Sequence, residues 1–279
     1  MINKNVKEIF QELTGKSVRT YSFFDCGFSN NNYLINDSYV VRIPKDNRDE
    51  TISFDKEHQI YNAIAPLNIS EKIVSFNDQT GIKLSKFVHN TRKYLPTPTN
   101  EQILYVAKTL KKLHSSNIKV PFGYQMFLKM NTYKKDLELS KYINKDYERK
   151  VLKEVQKIFA KSEMVLCHND LVKGNLLFKF NGVVFIDWEY GAMNNPFFDL
   201  ASFVSENNLS EEQTKFFLSK YFGCKYNQIK RKRVDDFVKF EDILFYYWAY
   251  YLYNKRHDEI YLKIAKEKLA RITIDMKKE

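Results

Sequence analysis

Residues 165–200 read VLCHNDLVKGNLLFKFNGVVFIDWEYGAMNNPFFDL. His168, Asp170 and Asn175 fall in one polar stretch, and Asp187 closes the apolar run Val183-Val184-Phe185-Ile186. Leu176-Leu177-Phe178 and that second run have the composition of short buried strands, and Asn181-Gly182 between them is a hairpin signal. Asn175 then enters and Asp187 leaves one hairpin, so their side chains meet at its open end. Both offer hard oxygen, the donor type that Mg²⁺ takes. Asp170, five residues before Asn175, stands where a carboxylate accepts the proton of an attacking hydroxyl in phosphoryl transfer. A lone His-x-Asp means little, and an Asp at a strand end is common. A loop merely capped by a His and an Asp, however, does not explain a hairpin separating two Mg²⁺ donors.

The chain has 279 residues, room for one large domain or two small lobes, and its 44% hydrophobic content can build a core. No apolar run approaches the roughly 20 residues of a membrane span. The opening MINKNVKEIF lacks the apolar core of a signal peptide. Cys26, Cys167 and Cys224 are odd in number and widely spaced, which argues against a disulfide framework or a zinc site. These features lead us to expect a cytoplasmic protein without stable membrane insertion. The net charge of +11 suits a nucleic acid, an anionic membrane surface or an anionic ligand such as ATP. The densest basic run, Lys230-Arg231-Lys232-Arg233, comes with no nucleic-acid motif and reads as a solvated helix face. Oligomeric state leaves no mark.

Working outward from residues 165–200, the N-terminal part is strand-rich. Val6, Ile9, Phe10 and Leu13 have helical spacing, and Gly15 ends that helix. Strands follow at 21–24, 33–35 and 39–43, with Asn36-Asp37 as a turn. Residues 72–76 and 82–87 form a further hairpin, and a helix over 52–64 lies before it. Pro96 and Pro98 punctuate the boundary to a helical part. Thr99-x-x-Gln102 and Ser210-x-x-Gln213 are capping boxes. Ile103, Val106, Leu110 and Leu113 line one helix face, and His114 continues it as a packed core histidine. Helical patterns cover 130–142, 147–160 and the aromatic-rich 234–276.

HNDL followed by Asn175, then IDWEYG and NPFFDLA, resembles the choline/ethanolamine kinase and aminoglycoside phosphotransferase superfamily, above all its bacterial choline kinase branch. The similarity is dense over 166–206 and thinner elsewhere. It implies a two-lobe α+β protein-kinase-like fold, with a small antiparallel sheet lobe over 1–88 and a large helical lobe over 89–279. It also implies ATP and Mg²⁺ as cofactors. Asp170 matches the catalytic base, His168 a brace of the catalytic loop, and Asn175 and Asp187 the metal ligands. Gly27-Phe28-Ser29-Asn30 matches a turn over the phosphates, although its single glycine fits a plain hairpin loop equally well. Arg42 matches the branch's strand arginine for the α/β-phosphates, with Glu57, or else Glu50, as its partner. Lys86 and Val88 fall at the hinge, where backbone groups meet adenine. Asp199 is expected to accept backbone N–H groups of the catalytic loop. Tyr190, Glu206, Phe245 and Trp248 match the acceptor pocket, and Tyr261 matches a pocket tyrosine. Phe245 in place of a family tryptophan is a departure, since phenylalanine is the weaker cation-binding ring.

The expectation is therefore a small-molecule kinase that phosphorylates the hydroxyl of choline or ethanolamine, a small and cationic alcohol. An aminoglycoside or thiamine phosphotransferase shares the catalytic core and differs in its acceptor pocket. A protein kinase is disfavoured, because the chain reaches Asp199 only twelve residues after Asp187 and Asn169 replaces the arginine that reads an activation-loop phosphate. A nucleotide-binding pseudokinase is disfavoured by the intact Asp170, Asn175 and Asp187. A basic nucleic-acid binder is the remaining class, and salt-dependent DNA retention would mark it.

Overall fold

The computed structural model describes residues 5–24, 30–45, 49, 51–92, 97–135, 137–138 and 141–278. Helix α1 (Val6–Thr14) opens at Asn5, whose side chain accepts the Lys7 N–H while Glu8 reaches back to the Asn5 N–H. It ends at Gly15 in the left-handed conformation (φ 67°). Val6, Ile9 and Phe10 form its buried face and pack on Ile35, Tyr39, Val41 and Leu84 of a five-stranded sheet. The strands are β1 (Tyr21–Phe24), β2 (Asn30–Ile35), β3 (Tyr39–Pro44), β4 (Ile73–Phe76) and β5 (Lys83–Lys86), ordered β1-β2-β3-β5-β4 and antiparallel throughout. Asn36 and Asp37 turn β2 into β3 at φ 51° and 50°, a backbone region that these two residue types tolerate. Helix α2 (Phe54–Ile64) is capped by Ser53. Its inner residues Ile60, Tyr61 and Ile64 belong to the core of the helical part, so this helix joins sheet to helices.

The helical part is built around α8 (Gln228–Arg256), which at 29 residues spans roughly 44 Å. Helices α4 (Met126–Lys134), α5 (Lys145–Phe159), α6 (Pro196–Glu206) and α9 (Glu259–Met276) pack around it. That surround explains why its buried residues, from Val234 and Phe237 to Tyr247 and Leu252, form no single stripe. Helix α3 (Asn100–His114) packs on α7 (Glu211–Phe222), and both open with the expected capping boxes. Two small sheets sit between these helices and the large sheet. Strand β6 (Val165–Cys167) pairs with β9 (Ala192–Asn194), and β7 (Leu176–Lys179) pairs with β8 (Gly182–Phe185).

The differences from the sequence reading lie at element ends. The helix read over 130–142 runs instead from Met126 to Lys134, starting after Gln125 in the left-handed region (φ 54°) with no side-chain cap to announce it. The helical stretch 234–276 is two helices, because His257 turns left-handed (φ 52°) and Asp258 caps a new start. Strand β2 begins three residues earlier than its apolar core, at Asn30. Cys167 and Cys224 are free, while Cys26, Ser29, Glu50 and Pro96 lie outside the described residues. Among the described residues no helix is long and apolar enough to cross a membrane.

Candidate active site

The loop between β6 and β7 carries His168, Asn169, Asp170 and Asn175, and it is tied down from below by α6. Asp199, fully buried, accepts the backbone N–H of His168 at 2.9 Å and of Asn169 at 2.7 Å. His114 lies 3.0 Å from the same carboxylate and 2.7 Å from the Tyr221 hydroxyl, so it is more than a packed core histidine. One turn further along α6, the Ser202 hydroxyl accepts the Leu171 N–H. The Asn207 amide then donates to the Leu171 carbonyl. Asn169 has positive φ (66°), and its amide donates to the Tyr190 carbonyl while accepting from Asn194. The His168 ring lies against Phe185 and Trp188 and donates from Nε2 to the Ile186 carbonyl at 3.0 Å. Burial pushes its pKa down, so the ring is a neutral prop between the two loops. Trp188 is itself buried, and its indole N–H goes to the Phe185 carbonyl.

Asn175 donates to the Asp170 carboxylate at 2.8 Å and to the Asp170 carbonyl at 2.9 Å, which leaves its amide oxygen out of these bonds. Asp187 follows β8 in the left-handed region (φ 62°). It faces the same cavity as Asp170, Asn175 and Glu189. Burial and the neighbouring Asp187 and Glu206 carboxylates push Asp170 up to about 7, against the Asn175 hydrogen bond. Burial likewise raises Asp187, despite the opposing charges of Arg42 and Lys83, and raises Glu189 with Asp187 adding to it. Oxygen donors whose charges crowd one another in this way form a set that a divalent cation fits, since the cation supplies the missing positive charge.

Arg42 on β3 joins the sheet to this cluster. Its fork holds Glu57 of α2 at 2.6 and 2.7 Å and reaches Asp187 at 3.2 Å. Burial alone would lower Arg42, but Glu57 and Asp187 outweigh it and hold the guanidinium firmly protonated. Glu57 is held low by Arg42 and Lys83 against the cost of its burial. Such a pair is specific rather than cheap, because removing one partner strands the other at about 3–5 kcal/mol. Lys83 on β5, which the sequence reading passed over, pairs with Glu71 at 2.9 Å and with the Tyr61 hydroxyl.

These groups line one cavity of about 820 Å³. Asn30, Arg42, Lys86 and Val88 line it, as do Asp170, Asp187, Tyr190, Glu206, Phe245 and Trp248. Phe245 and Trp248 meet edge-to-face at 6.3 Å. The Tyr190 hydroxyl donates to the buried Asp49. Tyr261 does not line the cavity: it is buried behind Trp248 at 5.7 Å, and its hydroxyl accepts from Arg256. A residue matched by sequence alone has slipped into the supporting layer, where it backs the tryptophan.

Residues 16–244 match the sequence profile of the choline/ethanolamine kinase family. Protein LicA of Haemophilus influenzae is 30% identical over 243 residues, which cover 80% of this chain and 70% of that protein. The crystal structure of choline kinase LicA from Streptococcus pneumoniae superposes with a TM-score of 0.82 at 20% identity, covering 96% of this chain and 97% of that one. The gentamicin complex of APH(2″)-IIa gives 0.68 at 19%, again covering 96% and 97%. At these identities the structural likeness speaks for the fold alone. A kinase-like fold and the sequence match over most of the chain lead to one conclusion: the protein belongs to the choline/ethanolamine kinase family and is an ATP-dependent phosphotransferase with an alcohol acceptor.

Proposed function

We propose that this enzyme transfers the γ-phosphoryl group of ATP to the hydroxyl of choline or ethanolamine, with Asp170, Asn175 and Asp187 as its reacting centre. The observation that carries this reading is a single cavity lined by Asp170, Asn175 and Asp187 together with Arg42 and Lys86, which we assign to the nucleotide end, and with Tyr190, Glu206, Phe245 and Trp248, which we assign to the acceptor end. Asp170 takes up the acceptor's proton and orients its oxygen, and Asn175 keeps that carboxylate in place through its amide. Asn175, Asp187 and Glu189 would hold Mg²⁺, which would supply positive charge to neutralise the phosphates. Arg42 steadies the phosphates, while Glu57 fixes the arginine's direction. Asn30 contacts the nucleotide phosphates, and backbone groups of Lys86 and Val88 meet adenine at the junction of lobes 1–88 and 89–279. His168 acts as a prop and touches no reactant. Most of the rate gain comes from positioning and charge stabilisation. Free thiols and the need for ATP suit the cytoplasm, and the positive charge serves the nucleotide rather than a nucleic acid.

At the acceptor end a trimethylammonium group has no N–H to donate, so ring faces and a nearby carboxylate must hold it. Tyr190, Phe245, Trp248 and Glu206 supply them. Each ring contributes on the order of 0.5–2 kcal/mol. Trp248→Ala is therefore expected to raise the KM for choline roughly tenfold while leaving the KM for ATP near wild type, with Trp248→Phe milder. Steady-state kinetics with each substrate varied in turn check this, and equal loss for both would reject the acceptor assignment. ATP consumption measured over choline, ethanolamine, thiamine and gentamicin tests the reading itself. Turnover confined to gentamicin or thiamine would replace it.

A further inference from the structure

The wall of the acceptor end is completed by one face of α9, through Ile264, Glu267, Lys268 and Arg271. Their spacing of three, four and seven residues is that of a single helical stripe. This helix lies beyond residue 244, where the family match stops. Lys268 is only 5% exposed, yet it lines the cavity. Its ammonium lies 2.5 Å from Glu206, 2.9 Å from Asp242 and 5.4 Å from the centre of the Phe245 ring. A carboxylate on one side and a ring face on the other is the surrounding that a cationic acceptor requires.

We propose that Lys268 is an internal stand-in for the acceptor's cation, so that this site admits only alcohols whose own positive charge displaces the lysine from Glu206 and Phe245. The proposal rests on the choline or ethanolamine reading of the acceptor end. Two carboxylates surround the one ammonium, and the second explains how the exchange occurs without stranding a charge. When an acceptor cation takes Glu206, Lys268 keeps Asp242, and its flexible four-carbon stem allows the short movement. Arg271 does not compete for Glu206. It is held by the Ser205 hydroxyl and by Asn208, and it lies 3.5 Å from Asp242. A neutral alcohol brings no charge to Glu206, so the lysine stays in place and fills the ring face. Lys268 is thus a specificity-determining residue, and its cost is weaker binding of the proper acceptor.

A purely structural lysine that fixes Glu206 would behave in the opposite sense, and the sign of the change decides between them. Lys268→Met and Lys268→Gln are made in the full chain and compared with wild type by calorimetric titration of tetramethylammonium and by choline and ATP kinetics. In both variants the tetramethylammonium Kd and the choline KM are expected to fall about tenfold, with the ATP KM unchanged. Lys268→Arg keeps the charge and is expected to keep the weak wild-type binding. An unchanged or increased choline KM and tetramethylammonium Kd in folded Lys268→Met or Lys268→Gln overturns the proposal. Asp242→Asn gives an answer should both variants fail to fold. It removes the retreat for Lys268, so choline KM must rise while ATP KM holds, and an unaffected choline KM overturns the proposal equally. If the wild type turns over no cationic alcohol, the acceptor reading fails by itself, and the tetramethylammonium titrations still decide the role of Lys268.

Discussion

Asp187→Ala is expected to reduce turnover by at least about 10³-fold, the upper range for losing one oriented electrostatic contact, while the fold survives. Asp187 sits at the open end of the β7–β8 hairpin, partly exposed to the cavity, and it forms an ion pair with Arg42. Arg42 keeps its stronger bidentate hold on Glu57 after the substitution, so no buried charge is stranded. Far-UV circular dichroism and thermal midpoint are therefore expected to stay close to wild type. Titration of Mg²⁺ at fixed ATP should show that added metal does not restore the rate. A folded variant with near-normal turnover would remove Asp187 from the metal site.

Asp170→Asn is expected to lower kcat by about 10²–10⁴-fold, the usual worth of a positioned general base, with ATP affinity nearly kept. The asparagine fills the same space but accepts no proton. Loss of ATP binding with kcat retained at saturation would contradict the role. The same variant carries a stability signature. The carboxyl of Asp170 titrates near 7 in the fold instead of at 3.8, because burial comes first and the Asp187 and Glu206 charges add to it. The folded state thus holds this proton more tightly than the unfolded chain does. The stability tied to it is fully present below about pH 4 and is lost as pH rises through about 7. Asp170→Asn has nothing to ionise. In metal-free buffer its Tm is expected to exceed that of wild type at about pH 8, with the gap shrinking toward about pH 5. A gap that is constant with pH would mean that Asp170 titrates as an ordinary carboxylate.

The gathering of Asp170, Asn175 and Asp187 at one cavity was legible because their spacing is local. Asp170 and Asn175 share one loop, and a hairpin of fixed length carries the chain from Asn175 to Asp187, so no long-range contact had to be guessed. The capping boxes at Thr99 and Ser210 are equally local and stand in the structure as read. What stayed hidden depends on distance along the chain. Lys268 meets Glu206 across 62 residues, and nothing near either residue announces it. Lys83 was obscured because a buried lysine is legible only once Glu71 and Tyr61 are known to surround it. The break at His257 was missed because it lacks glycine or proline, the usual punctuation. Tyr261 shows the converse, since a matched residue type does not fix the direction in which a helix turns it.

The seating of the catalytic loop on α6 has a consequence for how the enzyme fails on heating. The amides of His168, Asn169 and Leu171 are held by the side chains of Asp199 and Ser202 on one buried helix, and not by a neighbouring strand. Surface loops ordinarily open on their own and exchange their amide hydrogens quickly. Here the loop has no independent way to open, because freeing those three amides requires α6 to leave the core. Their deuterium uptake is expected to be as slow as that of the α6 backbone and to accelerate with it. Thermal inactivation should then coincide with global melting, without a preceding stage in which a folded but incompetent enzyme accumulates.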